Sequence, residues 1–185
     1  AHDGAAFDHA PLRSELARLL TAIAQADRLR QQAFARLPAS LTRTSLLRQA
    51  ALGPHAPLTT LDATDYRPLL GEVDHAALAA GFFDLVTASQ RFQHFLRTTP
   101  PLPPLRWQAE TALGRILIDT TGGDDLHDVR DVLLLVDTGG NDEYRFEPLA
   151  ENQPMQLIFD ARGNDRYLAT THASGPAAAV LGYAL

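Results

Sequence analysis

Apolar residues in the first half of the chain recur at helical spacing. One stripe consists of Leu12, Leu16, Leu19, Leu20 and Ile23. A second stripe follows Asp74, a candidate N-cap, and consists of Leu78, Phe82, Leu85, Phe92 and Leu96. Steps of three and four residues place each stripe on one face of a helix, and residues 41–52 predict a shorter helix that ends at Gly53 and Pro54. The pattern predicts an N-terminal helical subdomain over residues 1–98.

A proline-rich segment follows these predicted helices. Residues 98–104 read Thr-Thr-Pro-Pro-Leu-Pro-Pro, and proline fixes the backbone and removes a hydrogen-bond donor. Glycine and aspartate become frequent after this segment. We therefore predict a connector at residues 99–112, which separates the helical subdomain from a second region at residues 113–185.

The second region contains one pattern three times. Each copy has three apolar residues, an aspartate, a glycine turn, Asn or Asp, a further Asp, any residue and then a ring-bearing residue. The apolar parts are residues 116–119, 134–137 and 157–160, and the turn parts are residues 122–127, 139–144 and 163–167. The first copy has His127 where the other two have Tyr144 and Tyr167.

Each copy predicts a short buried strand followed by a sharp reversal of the chain. The apolar triplets lack polar alternation, which is typical of strands buried on both faces, and glycine supplies the turn conformations. One strand and one turn in each period of roughly 20 residues is typical of a solenoid. We therefore predict an α+β fold, in which the helical subdomain is followed by a right-handed parallel β-helix that is incomplete in this chain.

The turns also carry a resemblance. Gly140-Asn141-Asp142-Glu143-Tyr144 and residues 163–167 resemble the G-x-D-x-(large apolar) half of the calcium-binding RTX repeat. The region from about residue 113 to residue 185 also resembles exported bacterial proteins of uncharacterised function that have repeated DxGGDDxY turns. RTX motifs recur about every nine residues, whereas these turns lie 17 and 23 residues apart (Asp125 to Asp142 to Asp165). The RTX ladder of shared ions therefore does not transfer directly.

Stacking of these turns would bring oxygen-bearing side chains into columns. Carboxylate and amide oxygens are the ligands that calcium prefers, and columns of carboxylates repel unless a cation or donors lie between them. A calcium site is therefore predicted from Asp119, Asp125, Asp137, Asn141, Asp142, Asp160, Asn164 and Asp165. The alternative is that these residues cap backbone amides and pair with arginines, without a metal.

Other candidate chemistry leaves the function open between two classes. Tyr144 and Tyr167 form either a stacked platform for a sugar or packing beneath the turns. His172 and Ser174 bring a base near a hydroxyl, but no acid that would orient the histidine is evident.

We predict an exported, calcium-binding structural or binding module. The rival is the N-terminal chain of a proteolytically matured hydrolase, whose remaining active-site residues lie in a continuing chain.

Composition narrows the partners and the compartment. The 185 residues include no cysteine, which excludes disulfides and thiolate metal sites. A net charge of −6 argues against nucleic acid, and no apolar run reaches the ~20 residues that cross a membrane. Residues 177–185 are apolar, and we expect them to be covered, either by a continuing chain of the same precursor or by a second copy. Calcium-dependent repeats suit the periplasm or the cell exterior, where calcium is abundant.

Overall fold

The computed structural model describes residues 9–37, 71–146 and 153–169. Within these ranges the chain forms two helices, α1 (Ala10–Phe34) and α2 (His75–Thr98). Seven strands follow, which are β1 (Arg106–Thr111), β2 (Gly114–Asp119), β3 (Leu126–Asp128), β4 (Val132–Asp137), β5 (Glu143–Phe146), β6 (Leu157–Asp160) and β7 (Arg166–Ala169). The helix predicted at residues 41–52 and the apolar residues 177–185 lie outside the described residues.

The two helices pack against each other along the predicted apolar stripes. Buried members of these stripes are Leu12, Leu16, Leu19, Ile23, Leu85, Phe92 and Leu96. The side chain of Asp74 accepts a hydrogen bond from the Ala77 N–H at 2.9 Å, which confirms the predicted N-cap of α2. At the start of α1, His9 Nδ1 accepts from the Leu12 N–H at 3.2 Å.

The strands form two sheets. The larger sheet has the order β1-β2-β4-β6, and the smaller sheet has the order β3-β5-β7. From β2 to β7 the chain alternates between the two sheets, and all of these strands pair in parallel within their sheet. The apolar triplets 116–118, 134–136 and 157–159 lie side by side in register, as the repeat predicts.

The predicted right-handed parallel β-helix is wrong. A parallel β-helix has closed coils joined by parallel ladders alone, whereas the described strands form two open sheets. The larger sheet is mixed, because β1 turns back tightly at residues 112–113 and pairs antiparallel with β2. Strand β1 lies within residues 99–112, where the sequence predicts only a connector. The α+β part of the prediction is correct.

Strands β2, β4 and β6 of the larger sheet are packed on both faces, whereas β1 is mostly exposed. The residues of this sheet that pack against the helices are Ile116, Ile118, Leu134, Val136, Leu157 and Phe159. The ring of Phe159 lies 5.0 Å from the ring of Phe92 on α2. The opposite face packs against the smaller sheet, and its residues include Leu117, Leu135 and Ile158. Burial of both faces explains why the triplets have no polar alternation.

Two rows of polar or aromatic side chains face each other between the sheets. Because side chains alternate along a strand, the aspartates that end β2, β4 and β6 lie on the face toward the smaller sheet. These three residues, Asp119, Asp137 and Asp160, are register partners. In the smaller sheet, the register partners are His127, Tyr144 and Tyr167. The fold therefore places an aspartate row opposite an aromatic row.

Candidate metal centre

The turns that follow β2, β4 and β6 lie against one another with their backbones in contact. A Cβ atom at Gly140 would lie 2.2 Å from the carbonyl oxygen of Gly123, and one at Gly163 would lie 2.1 Å from that of Gly140. Gly140 and Gly163 also have φ angles of +140° and +149°. Only glycine fits these two positions, so the repeated glycine is what permits the close stacking.

An outer ladder of hydrogen bonds joins the three turns on their exposed side. It consists of Asp124, Asn141 and Asn164, which occupy equivalent positions. Asp124 Oδ1 accepts from the Asn141 N–H at 2.8 Å, and Asn141 Oδ1 accepts from the Asn164 N–H at 3.1 Å. Each side-chain oxygen therefore caps the backbone of the following turn.

An inner ladder runs in the opposite direction. It consists of Asp125, Asp142 and Asp165. Asp142 Oδ1 accepts from the Asp125 N–H at 2.6 Å, and Asp165 Oδ1 accepts from the Asp142 N–H at 2.8 Å. Here each carboxylate caps the backbone of the preceding turn. The two ladders together account for the repeated Asn/Asp-Asp pair by backbone capping.

Arg106 forms ion pairs with two carboxylates at the first turn. Its guanidinium pairs with Asp119 Oδ2 at 2.8 Å and also pairs with Asp125. Asp119 Oδ1 accepts from the backbone N–H of Thr121 at 2.9 Å, so both of its oxygens have partners. Arg106 is the first residue of β1, and the repeat pattern in the sequence does not indicate it. The eight predicted calcium ligands are therefore divided among backbone capping, arginine pairing, a hydrogen bond from Tyr167 to Asp160 and a smaller inner group.

That inner group brings Asp137 and Asp142 together with His127. One ring nitrogen of His127 and one oxygen of each carboxylate lie within 4.8 Å of one another. His127 Nε2 lies 2.8 Å from Asp137 Oδ2. Exposure is 9% for His127, 2% for Asp137 and 1% for Asp142. We call these three residues the inner cluster. The repeat itself held the signal for His127, since it replaces the tyrosine of the other two copies.

Buried polar atoms around the inner cluster lack partners. Among the described residues, neither Asp142 Oδ2 nor the Tyr144 hydroxyl has a hydrogen-bond partner, although each such buried group costs about 1–3 kcal/mol. Burial raises the pKa of the Asp142 carboxyl. Burial also raises the pKa of the Tyr144 hydroxyl, with a further contribution from the charge of Asp137.

Electrostatics also favour a charged His127. The hydrogen bond to Asp137 raises the pKa of the His127 imidazole, and this effect outweighs the opposing effect of burial. In the absence of a metal, a protonated His127 would give Asp137 a buried ion-pair partner. A cation and a protonated imidazole are therefore the two ways of supplying positive charge here.

The aromatic row lies beside the inner cluster. The ring of Tyr144 is stacked at 5.2 Å from His127 and at 4.9 Å from Tyr167. Tyr144 is fully buried and serves as packing beneath the turns, while Tyr167 is 48% exposed. The Tyr167 hydroxyl donates to Asp160 Oδ2. Burial, with a further contribution from neighbouring Asp165, raises the pKa of Asp160 to about 6.

Because comparison with known proteins finds no match, any functional inference for this chain rests on the site itself. No protein-family model, curated protein or solved structure matches this chain. Neither of the two described helices combines the length and the apolar character that spanning a membrane requires. His172, Ser174 and the apolar residues 177–185 lie outside the described residues.

Proposed function

We propose that this protein is a structural or binding module whose stacked Asp/Gly turns are stabilised by a divalent cation. The single observation that carries the proposal is the convergence of His127, Asp137 and Asp142 in the buried space between the sheets. Two buried carboxylates at this separation repel each other, and positive charge between them removes the repulsion. A divalent cation supplies enough charge to balance both.

Such a cation would join residues of both sheets and of the turn between them. Asp137 ends β4 in the larger sheet, His127 belongs to β3 in the smaller sheet, and Asp142 lies in the turn before β5. The small layer of apolar residues between the sheets would then be reinforced by metal coordination. An ion that binds only the folded state stabilises it by mass action.

The test is the melting temperature of the purified full chain with and without divalent ions. After treatment with a chelator, the melting temperature should fall by several degrees, and adding back calcium or zinc separately should show which ion restores it. The matched control is Asp124→Asn, which places at this position the residue that the other two turns carry and should leave the response unchanged. A melt that is the same with chelator, calcium and zinc would contradict the proposed function.

A covering partner is the second part of the proposal. Among the described strands, β6 pairs only with β4 and β7 pairs only with β5, so each has one unpaired edge. A groove of about 270 Å³ lies beside β6 and α2, and its lining includes Val86, Leu96 and Leu157. Exposed strand edges invite pairing with another chain. We propose that a continuing chain of the same precursor or a second copy covers the free edges of β6 and β7, in the periplasm or outside the cell.

Light scattering during gel filtration tests this part. A second copy predicts a dimer whose population rises with concentration, and a continuing chain predicts a native mass larger than that of residues 1–185. A native protein with the mass of a single 185-residue chain at every concentration would contradict both forms of the cover.

A further inference from the structure

The donor atoms of the inner cluster discriminate between classes of divalent cation. Calcium takes about six to eight oxygen ligands, whereas an imidazole nitrogen suits zinc and similar transition metals. The inner cluster offers one imidazole and two carboxylates, all at least nine-tenths buried. One nitrogen with two carboxylates is a donor set that zinc accepts in proteins.

We infer that the inner cluster is a zinc-class site, with His127, Asp137 and Asp142 as its three protein ligands. The inference rests on the proposed function and goes beyond it by assigning the ion and its ligands. Hydrogen bonds to the backbone leave few oxygens for a larger ion. Asp137 Oδ1 accepts from the Gly139 N–H at 3.0 Å, and Asp142 Oδ1 accepts from the Asp125 N–H at 2.6 Å. Each carboxylate therefore has one oxygen, Oδ2, to offer inward.

The spacing of the donor atoms is compatible with a small ion. Zinc binds nitrogen and oxygen at about 2.0–2.2 Å, so two of its tetrahedral ligands lie roughly 3.3–3.5 Å apart. His127 Nε2 and Asp137 Oδ2 are 2.8 Å apart, and one oxygen of Asp142 completes a set of one donor atom per residue within 4.8 Å of one another. Small side-chain movements would therefore bring the three donors to zinc distances.

Charge balance is met by any divalent cation at this site, zinc included. A neutral imidazole and two carboxylates carry two negative charges, which one divalent cation cancels in a buried site where an unbalanced charge is costly.

An independent observation points to a missing ligand. Asp142 is 1% exposed, yet its Oδ2 atom has no hydrogen-bond partner in the described part of the chain. The hydroxyl of Tyr144, which is 0% exposed, also has no hydrogen-bond partner there. Three protein ligands leave a fourth position for water on zinc. Coordination would satisfy Asp142 Oδ2.

The test measures metal binding by the full chain and by His127→Tyr. Tyrosine occupies the equivalent position in the other two copies, so this substitution removes the nitrogen ligand with a residue that the repeat already accommodates. Calorimetric titration of the chelator-treated wild type should give one zinc ion per chain and no calcium binding. His127→Tyr should weaken zinc binding by about 100-fold or more, because loss of an outer-shell partner alone costs about 10–100-fold.

Cobalt substitution and a second variant complete the experiment. Four-coordinate cobalt absorbs visible light far more strongly than hydrated cobalt, so the wild type and Asp124→Asn should become coloured and His127→Tyr should not. If His127→Tyr does not fold, Asp142→Asn replaces it, since asparagine retains an oxygen for the Asp125 N–H. Calcium binding without zinc binding would overturn the zinc assignment and leave the proposed function intact. Binding of neither ion would overturn both, and the inner cluster would be a metal-free ion pair.

Discussion

The two faces of the larger sheet bury the same strands in different surroundings. Toward the helices, the buried side chains of β2, β4 and β6 are apolar along the whole strand, from Ile116 to Phe159. Toward the smaller sheet, the apolar residues Leu117, Leu135 and Ile158 give way at the strand ends to Asp119, Asp137 and Asp160. One face is a hydrophobic core, and the other changes from hydrophobic to ionisable within one strand length.

This difference separates burial that needs no specific partner from burial that does. Apolar packing against the helices needs no specific partner, and its contribution to the free energy of folding scales with the apolar area that it buries. Buried carboxylates destabilise a fold unless a hydrogen bond, a cation or a proton compensates them. The face toward the smaller sheet therefore contains groups whose burial depends on specific partners.

The largest effect is expected from the apolar face. Leu134 is 0% exposed and packs beneath the helices, so Leu134→Ala should lower the free energy of unfolding by about 2–5 kcal/mol. Denaturant titration measures this change. The control is Leu126→Ala, at a side chain that is 55% exposed. A cost at Leu134 no larger than that at Leu126 would show that the helices do not form this core.

The second-largest effect is expected at the stacked turns, which follow the polar ends of the strands. Gly140→Ala places a Cβ atom 2.2 Å from the Gly123 carbonyl oxygen, at a φ of +140°. The free energy of unfolding should fall by about 2–3 kcal/mol, because a strained backbone conformation alone costs about 1–3 kcal/mol. Gly71→Ala, where a Cβ meets nothing within 4 Å, serves as the control in the same titration. Equal stabilities would contradict the close stacking.

A smaller effect concerns pH and the aspartate row. Burial raises the pKa of Asp160 from 3.8 to about 6, and Asp165, Asp137 and Tyr167 face its carboxyl. A raised pKa means that the folded state favours the protonated form. The contribution of Asp160 to stability is therefore fully present below about pH 4 and is lost as the pH rises through 6.

Melting temperatures of the chelator-treated protein between pH 4.5 and 7, in steps of about half a unit, check this sign. The wild type should lose stability as the pH rises over this interval. Asp160→Asn removes the titrating carboxyl but keeps an oxygen for the Tyr167 hydroxyl, so its curve should be flatter. Parallel curves for the two proteins would show that Asp160 does not titrate in this range.

The smallest effect is expected at the exposed ion pair between the helices. Glu15 binds Arg91 at 2.9 Å, and the Arg91 side chain is 59% exposed. Glu15→Gln should lower the free energy of unfolding by less than about 1 kcal/mol, since exposed pairs contribute about 0.2–1 kcal/mol. High salt should reduce the difference further. A larger cost would mean that this pair, rather than the apolar stripe, determines how the helices dock.

Local pattern predicted the apolar face well. The stripe from Leu12 to Ile23, the cap at Asp74 and the register of the three triplets follow from periodicity and capping chemistry. The prediction of a closed coil went wrong at β1. Residues 106–111 precede the first repeat and pair antiparallel with β2, and this pairing depends on a tight turn that the repeat pattern does not contain.

The polar face was predicted only in part. The sequence identified Asp137 and Asp142, but it placed them in one set with ladder residues such as Asn141 and Asn164. Sequence spacing cannot show which oxygens accept backbone N–H groups of a neighbouring turn. His127 was visible as the exception to the repeat, but its distance to Asp137 depends on how the two sheets pack.

The stacked turns have a consequence for how such a protein varies during evolution. On the turn side, residues 138–142 and 161–165 are equal in length, whereas residues 120–125 are one residue longer and still take part in both ladders. On the opposite side, residues 129–131 join β3 to β4, whereas residues 147–156 join β5 to β6. An extra residue in a turn is therefore compatible with the ladders, provided that the Asn/Asp-Asp pair stays directly before the next strand. Duplication of a whole strand-and-turn segment would also preserve the ladders, because every turn presents the same donors and acceptors to its neighbours.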